Sequence, residues 1–235
     1  MQNTKSNENT SKEQQSGSSC DCPGNTWVYI WKMTAQKVGH AAIQVGGCTA
    51  KRDEHDNHGE YISIHPNMIP SIGPTVILPL PAGLANTLTH DMAAEAAALH
   101  QNSLEDLTGI AAPLPTSLPP DYTFYIPNLK TDAMRELITI TRAEVTTGQT
   151  AYQLLPEINT LAFFKEAPQY LNYNPVDIAK PSHQPHQSSS YGDKKYNCVT
   201  LVSTILVAGG MPLQPSKMPW GETPNSLGKQ LSSIK

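Results

Sequence analysis

Charge of one sign is missing from this chain as a dominant feature: sixteen Lys and Arg stand against twenty Asp and Glu. With no dense basic run either, nucleic acid is not expected as the main partner. No apolar stretch approaches the roughly 20 residues that a membrane-spanning helix needs, so no integral membrane segment is expected. The first residues, MQNTKSNENTSKEQQSGSSCDCPGN, lack the apolar core of a conventional secretory signal peptide. Their Ser/Asn/Gln-rich composition predicts a disordered polar tail over residues 1–24, dispensable for folding. Cysteine is scarce. Cys20, Cys22, Cys48 and Cys198 are too few for a disulfide framework in a chain of 235 residues. Cys20 and Cys22 are too close for an easy mutual bridge, and Cys-Asp-Cys alone does not supply a zinc site, so no metal is expected. A phosphate-cradling glycine loop is also absent, which leaves a nucleotide cofactor unsupported.

What is present reads as one domain over residues 25–235, of mixed α+β class. TWVYIWKM (Thr26–Met33), HAAIQVGG (His40–Gly47) and EYISIHP (Glu60–Pro66) carry the alternation and β-branched content of strands and predict an antiparallel meander. The polar HDNHG between the last two reads as a turn rather than a metal site. An insertion around residues 67–120 follows. It combines proline-punctuated loops, a short strand at TVIL and a helix over Ala85–Asn102, with Leu88, Met92, Ala96 and Leu99 on one side and Glu95 on another. TFYIPNL (Thr123–Leu129) predicts a strand. Thr131–Gly148 predicts a helix, capped by Thr131, with Met134, Leu137, Ile138, Thr141 and Val145 as its buried stripe. The Pro, Ser, His and Tyr-rich segment around residues 168–192 reads as a mobile surface loop, with His183 and His186 solvated and Tyr170, Tyr173 and Tyr191 either lining an approach to Cys198 or packing the loop.

Two short stretches carry chemistry. In KKYNCVTLVSTILVAGGMP, Val199, Leu201, Val202, Ile205 and Leu206 recur at helical spacing, and Gly209, Gly210 and Pro212 stop the helix. Asn197 stands at the cap position and Cys198 in the first turn. There the unpaired amides and the helix dipole favour a thiolate over a thiol, which makes Cys198 a usable nucleophile; the alternative, which this stretch alone favours, is one more small apolar residue of a core helix. In VGHAAIQV, His40 opens a strand of small and apolar residues after Gly39. A histidine there is a general base if a nucleophile lies within reach, and otherwise a structural residue.

The ordered set VGHAAIQV, GEYISIHP and YNCVTLVSTILVAGG resembles the circularly permuted papain-like cysteine hydrolases. That group includes NlpC-type cell-wall peptidases, lecithin:retinol acyltransferase and PPPDE-type peptidases; the likeness is greatest to a branch of bacterial toxins and effectors. Ile64 and His65 stand where that branch has two aromatic residues. The resemblance implies an antiparallel sheet or half-barrel packed on the cysteine-bearing helix, with helical and loop insertions. It also implies Cys198 as nucleophile and His40 as general base, with a third, orienting residue on the following strand. His65 and Ser63 share one face of that strand, and either is a candidate. The backbone N–H of Cys198 is a candidate oxyanion donor, with Asn197 beside it in an orienting or oxyanion role.

The function so implied is hydrolysis of an amide, peptide or isopeptide bond in a protein or peptide substrate, without a cofactor. Acyl transfer or thioester chemistry on the same scaffold, and an inactive binding module, are the alternatives. A polar start without a signal peptide implies a secreted effector delivered into a host cell, or a cytoplasmic protein.

Overall fold

The computed structural model describes residues 22, 24–34, 37–50, 59–67, 78–102, 115–156, 194–215 and 221–234. The expectations for the HDNHG turn, for most of residues 1–24, for part of the 67–120 insertion and for the loop at 168–192 lie outside them.

Among the described residues, seven strands form one mostly antiparallel open sheet, accompanied by four helices. The strands are β1 (Thr26–Trp31), β2 (His40–Val45), β3 (Glu60–Pro66), β4 (Leu80–Ala85), β5 (Tyr122–Ile126), β6 (Thr150–Tyr152) and β7 (Lys194–Tyr196). Their order across the sheet is β5-β1-β2-β3-β4-β6-β7, and only β6 and β7 run parallel. The helices are α1 (Leu88–Asn102), α2 (Thr131–Thr146), α3 (Cys198–Ala208) and α4 (Pro224–Ser233). The expected meander of β1, β2 and β3 forms with Trp31 opposite His40 and Ile43 opposite Ile62.

Period-two patterning gives the sheet two buried faces. Val28, Ile30, Ala41, Ile43, Ile62 and Ile64 pack against α2, α3 and α4 through Met134, Ile138, Leu201, Val202, Ile205 and Leu227. The alternate residues Trp27, Tyr29, Trp31, Ala42 and Tyr61 form a second, aromatic cluster with Leu88 of α1. Because β1 and β2 are apolar on both faces, they are buried along their whole length. They are the centre of the molecule, and α1 and α3 cover it from opposite sides.

Several elements depart from the sequence expectations. The TVIL stretch lies almost wholly outside the described residues; a strand that was not expected lies at Leu80–Ala85, despite Pro81. It forms there because Gly83 lets β4 come close to β3: a Cβ at Gly83 would lie 2.6 Å from Cε1 of the His65 ring that crosses it. Thr131 does not cap α2; the cap position is Lys130, with no side-chain hydrogen bond, and Thr131 is instead buried as the first helical residue. The three-residue strands β6 and β7 and the helix α4 were not expected. The first two are too short to show a period, and α4 carries Leu227 and Leu231 as its large buried side chains.

The cysteine reading also needs correction. Cys22 is bonded to Cys48, which follows β2, a bridge that the sequence reading did not assign. Ordered contacts begin inside the expected tail as well, since the Gly24 carbonyl accepts a hydrogen bond from the Leu129 amide. A bridge between residues 26 apart restricts the unfolded chain by about 3.5 kcal/mol in the loop-entropy picture. Cys48→Ser is therefore expected to lower the thermal midpoint by roughly 10 °C, measured by calorimetry without reductant. An unchanged midpoint would show that the bridge does not contribute to stability.

Candidate active site

His40 and Cys198 reach one another at the rim of the sheet. Strand alternation turns His40 toward the α1 side with Ala42, whereas Cys198 belongs to the core on the α3 side. His40 is the first residue of β2, however, so its ring stands at the strand end, near enough to Cys198 for that group to raise the imidazole pKa. Its backbone position depends on Gly39, which has φ +78°. A Cβ there would lie 2.6 Å from the Met33 amide and 2.7 Å from the Trp31 carbonyl, so the turn between β1 and β2 closes only on glycine. Trp31 backs the imidazole, with ring centres 5.5 Å apart, and is held by its indole N–H donating to the Leu118 carbonyl at 2.8 Å.

Cys198 is placed by the start of α3. The Asn197 side chain accepts from the Thr200 amide at 2.7 Å, while the Thr200 hydroxyl accepts from the Asn197 amide at 2.9 Å, a reciprocal capping box. The other end of the Asn197 amide donates to the Leu154 carbonyl at 3.0 Å. Asn197 thus orients the helix start, and its amide is committed to that task rather than turned toward a bound oxyanion.

The charged partner of His40 is Asp91, in the first turn of α1. Nε2 of His40 lies 3.3 Å from Asp91 Oδ2, with the alignment of an ion pair rather than a straight hydrogen bond. With Nε2 facing Asp91, Nδ1 is the nitrogen left for the thiol. Asp91 is 1% exposed and is itself held on two sides: Tyr61 Oη donates to Oδ2 at 2.5 Å and Ser63 Oγ to Oδ1 at 2.9 Å. Ser63 therefore touches the carboxylate, not the imidazole. His65, the other candidate for the orienting role, turns Nδ1 toward the Pro66 carbonyl at 3.3 Å and packs edge-on to His90. Burial holds its pKa below the ordinary histidine value. The expectation that β3 supplies the orienting residue is thus corrected: β3 supplies hydroxyls to Asp91, and α1 supplies the partner of His40.

The charges sort accordingly. Burial alone would lower the His40 pKa, but the neighbouring Asp91 and Cys198 outweigh it and hold it well above the ordinary value. Burial would raise the Asp91 carboxyl, yet the His40 charge and the hydrogen bonds from Tyr61 and Ser63 hold it below the usual carboxylate range. One turn along α1, burial pushes Glu95 up despite Lys37 Nζ at 3.6 Å. Two carboxylates, one imidazole and one thiol thus meet under little solvent.

Asp91 had a visible signature that sequence reading passed over. It follows Leu88 by three residues and precedes Glu95 by four, so it borders the buried stripe of α1, but an acidic residue in a first turn also has a ready explanation in the helix dipole. No family model, curated protein or solved structure matches this chain. No helix among the described residues is long and apolar enough to cross a membrane.

Proposed function

We propose that this protein is a cysteine-nucleophile hydrolase of the permuted papain-like kind, acting on an amide or isopeptide bond of a protein or peptide through Cys198, His40 and Asp91. The observation that carries this reading is one buried imidazole 3.3 Å from a buried carboxylate and near enough to a thiol at a helix start for that group to raise its pKa. A structural histidine needs one satisfied hydrogen bond; a general base needs a nucleophile on one nitrogen and an orienting group on the other.

In the first half-reaction Cys198 Sγ, its proton passed to His40, attacks the carbonyl carbon and the C=O electron pair moves onto oxygen. Collapse of that intermediate breaks the C–N bond, and His40 gives its proton to the departing amine. Water then attacks the thioester while His40 takes its proton. The C–S bond breaks, releasing the acid and restoring the thiolate. Asp91 keeps the ring oriented and balances its charge throughout. The Cys22–Cys48 bond supports an oxidising destination and so favours a secreted effector over a cytoplasmic protein.

The test is acylation with p-nitrophenyl acetate, followed by nitrophenol release and by mass spectrometry of the intact protein. Wild type is expected to acetylate at Cys198 and turn over, and Cys198→Ala to do neither. A Cys198 that reacts with ester or with iodoacetamide only after denaturation is a core cysteine, and the hydrolase reading then fails.

A further inference from the structure

An acyl-enzyme needs a donor for the oxygen that becomes negative, and two amide side chains of the segments that lead into α3 and follow β6 are engaged. The Asn197 amide donates to Leu154 and that of Gln153 donates to the Leu155 carbonyl at 2.9 Å. Tyr152 differs. It ends β6, is 8% exposed, and its hydroxyl makes no hydrogen bond among the described residues, which leaves it available to a substrate. Its place is fixed relative to the nucleophile. Tyr152 pairs with Tyr196 across β6 and β7, the Gln153 amide donates to the Tyr196 carbonyl at 2.9 Å, and Asn197 is tied to Leu154. Residues 152–154 are thereby laced to residues 196–197, immediately ahead of Cys198, and Tyr152 shares the core cluster of Cys198.

We infer that Tyr152 Oη is an oxyanion donor of this site, working with the backbone N–H of Cys198, which as the first helical residue has no partner inside its helix. The inference rests on the hydrolase reading and adds to it the group that receives the developing charge. Burial, then the charges of Cys198 and Glu95, hold the phenol well above its ordinary pKa, so it keeps its proton and remains a donor at any pH at which the enzyme works. The donor takes no part in proton transfer. As the C–S bond forms and the carbonyl electron pair moves onto oxygen, the O–H···O⁻ bond shortens and strengthens; as the leaving group departs, it relaxes.

This role predicts a split between two reactions of the same thiol. Alkylation by iodoacetamide displaces iodide from carbon and develops no oxyanion; acylation by p-nitrophenyl acetate passes through one. Tyr152→Phe is expected to slow Cys198 acylation on the order of 10²-fold while leaving its alkylation rate and pH profile unchanged, which also shows that the site has folded. Equal rates of acylation in Tyr152→Phe and wild type, or a parallel fall in both reactions, would overturn the assignment. A wild-type thiol that alkylates in the folded protein but never acylates removes the hydrolase reading and this donor with it. Acylation that persists at the wild-type rate in Tyr152→Phe removes the donor alone.

Discussion

Asp91→Ala is expected to be the most damaging single substitution in the molecule, lowering stability by about 3–5 kcal/mol and acylation of Cys198 on the order of 10²–10⁴-fold. The carboxylate is the common partner of three buried groups, the His40 ring and the Tyr61 and Ser63 hydroxyls. Its removal leaves all three without their partner in a space closed to water, and a buried group left unpaired loses more than the bond itself was worth. Asp91→Asn keeps the shape and separates charge from packing. The Asp91 carboxyl lies below its ordinary 3.8, so its contribution is present above that value and is lost as the pH falls through the lowered folded one. His40 lies above its ordinary 6.5, so its contribution is present below 6.5 and is lost as the pH rises through the raised folded value. The stability gap between wild type and Asp91→Asn is therefore expected to be widest near about pH 5 and to narrow toward both extremes. Urea unfolding across pH measures it. A gap independent of pH would mean that Asp91 acts by packing and hydrogen bonding alone.

His40→Ala is expected to abolish acyl turnover to within background, a loss of at least about 10³-fold, with much less effect on the fold. Unlike Asp91, His40 is at a strand end and its removal leaves one carboxylate that still has two hydroxyl donors. Alkylation of Cys198 near neutral pH should slow toward that of an ordinary thiol, because the ring no longer accepts the proton. Ser63→Ala should perturb alkylation less, acting only through Asp91, and His65→Ala least. An alkylation profile indifferent to His40→Ala would dissolve the catalytic pair and leave only a scaffold.

Local chemistry made half of this site legible. A histidine after glycine at the start of an apolar strand, and a cysteine after asparagine at the start of an apolar helix, are visible within ten residues of chain each. The third member was not, because its meaning depends on which helix covers the aromatic face of the sheet. The alternation of β3 rightly set Ser63 and His65 on one face, but not what that face meets; Tyr61, on the same face, turned out to hold Asp91 together with Ser63. The same distinction runs through the fold. β1, β2, β3 and α3 announce themselves by periodicity, whereas β6 and β7 exist through their pairing with each other and with β4. The Cys22–Cys48 bond likewise joins residues whose proximity arises from the end of β2 meeting the chain that enters β1.

The placement of the three groups of the candidate site at positions 40, 91 and 198 has a consequence for the history of each molecule. Contacts between residues so far apart in the chain form late, since the loops between them must be closed before the contact repays that entropy. No fragment emerging from a ribosome holds the whole set until α3 has been made and has packed on β2 and β3. Any truncated product lacking the last quarter of the chain lacks Cys198 and the helix that places it, and so carries His40 and Asp91 without their third partner.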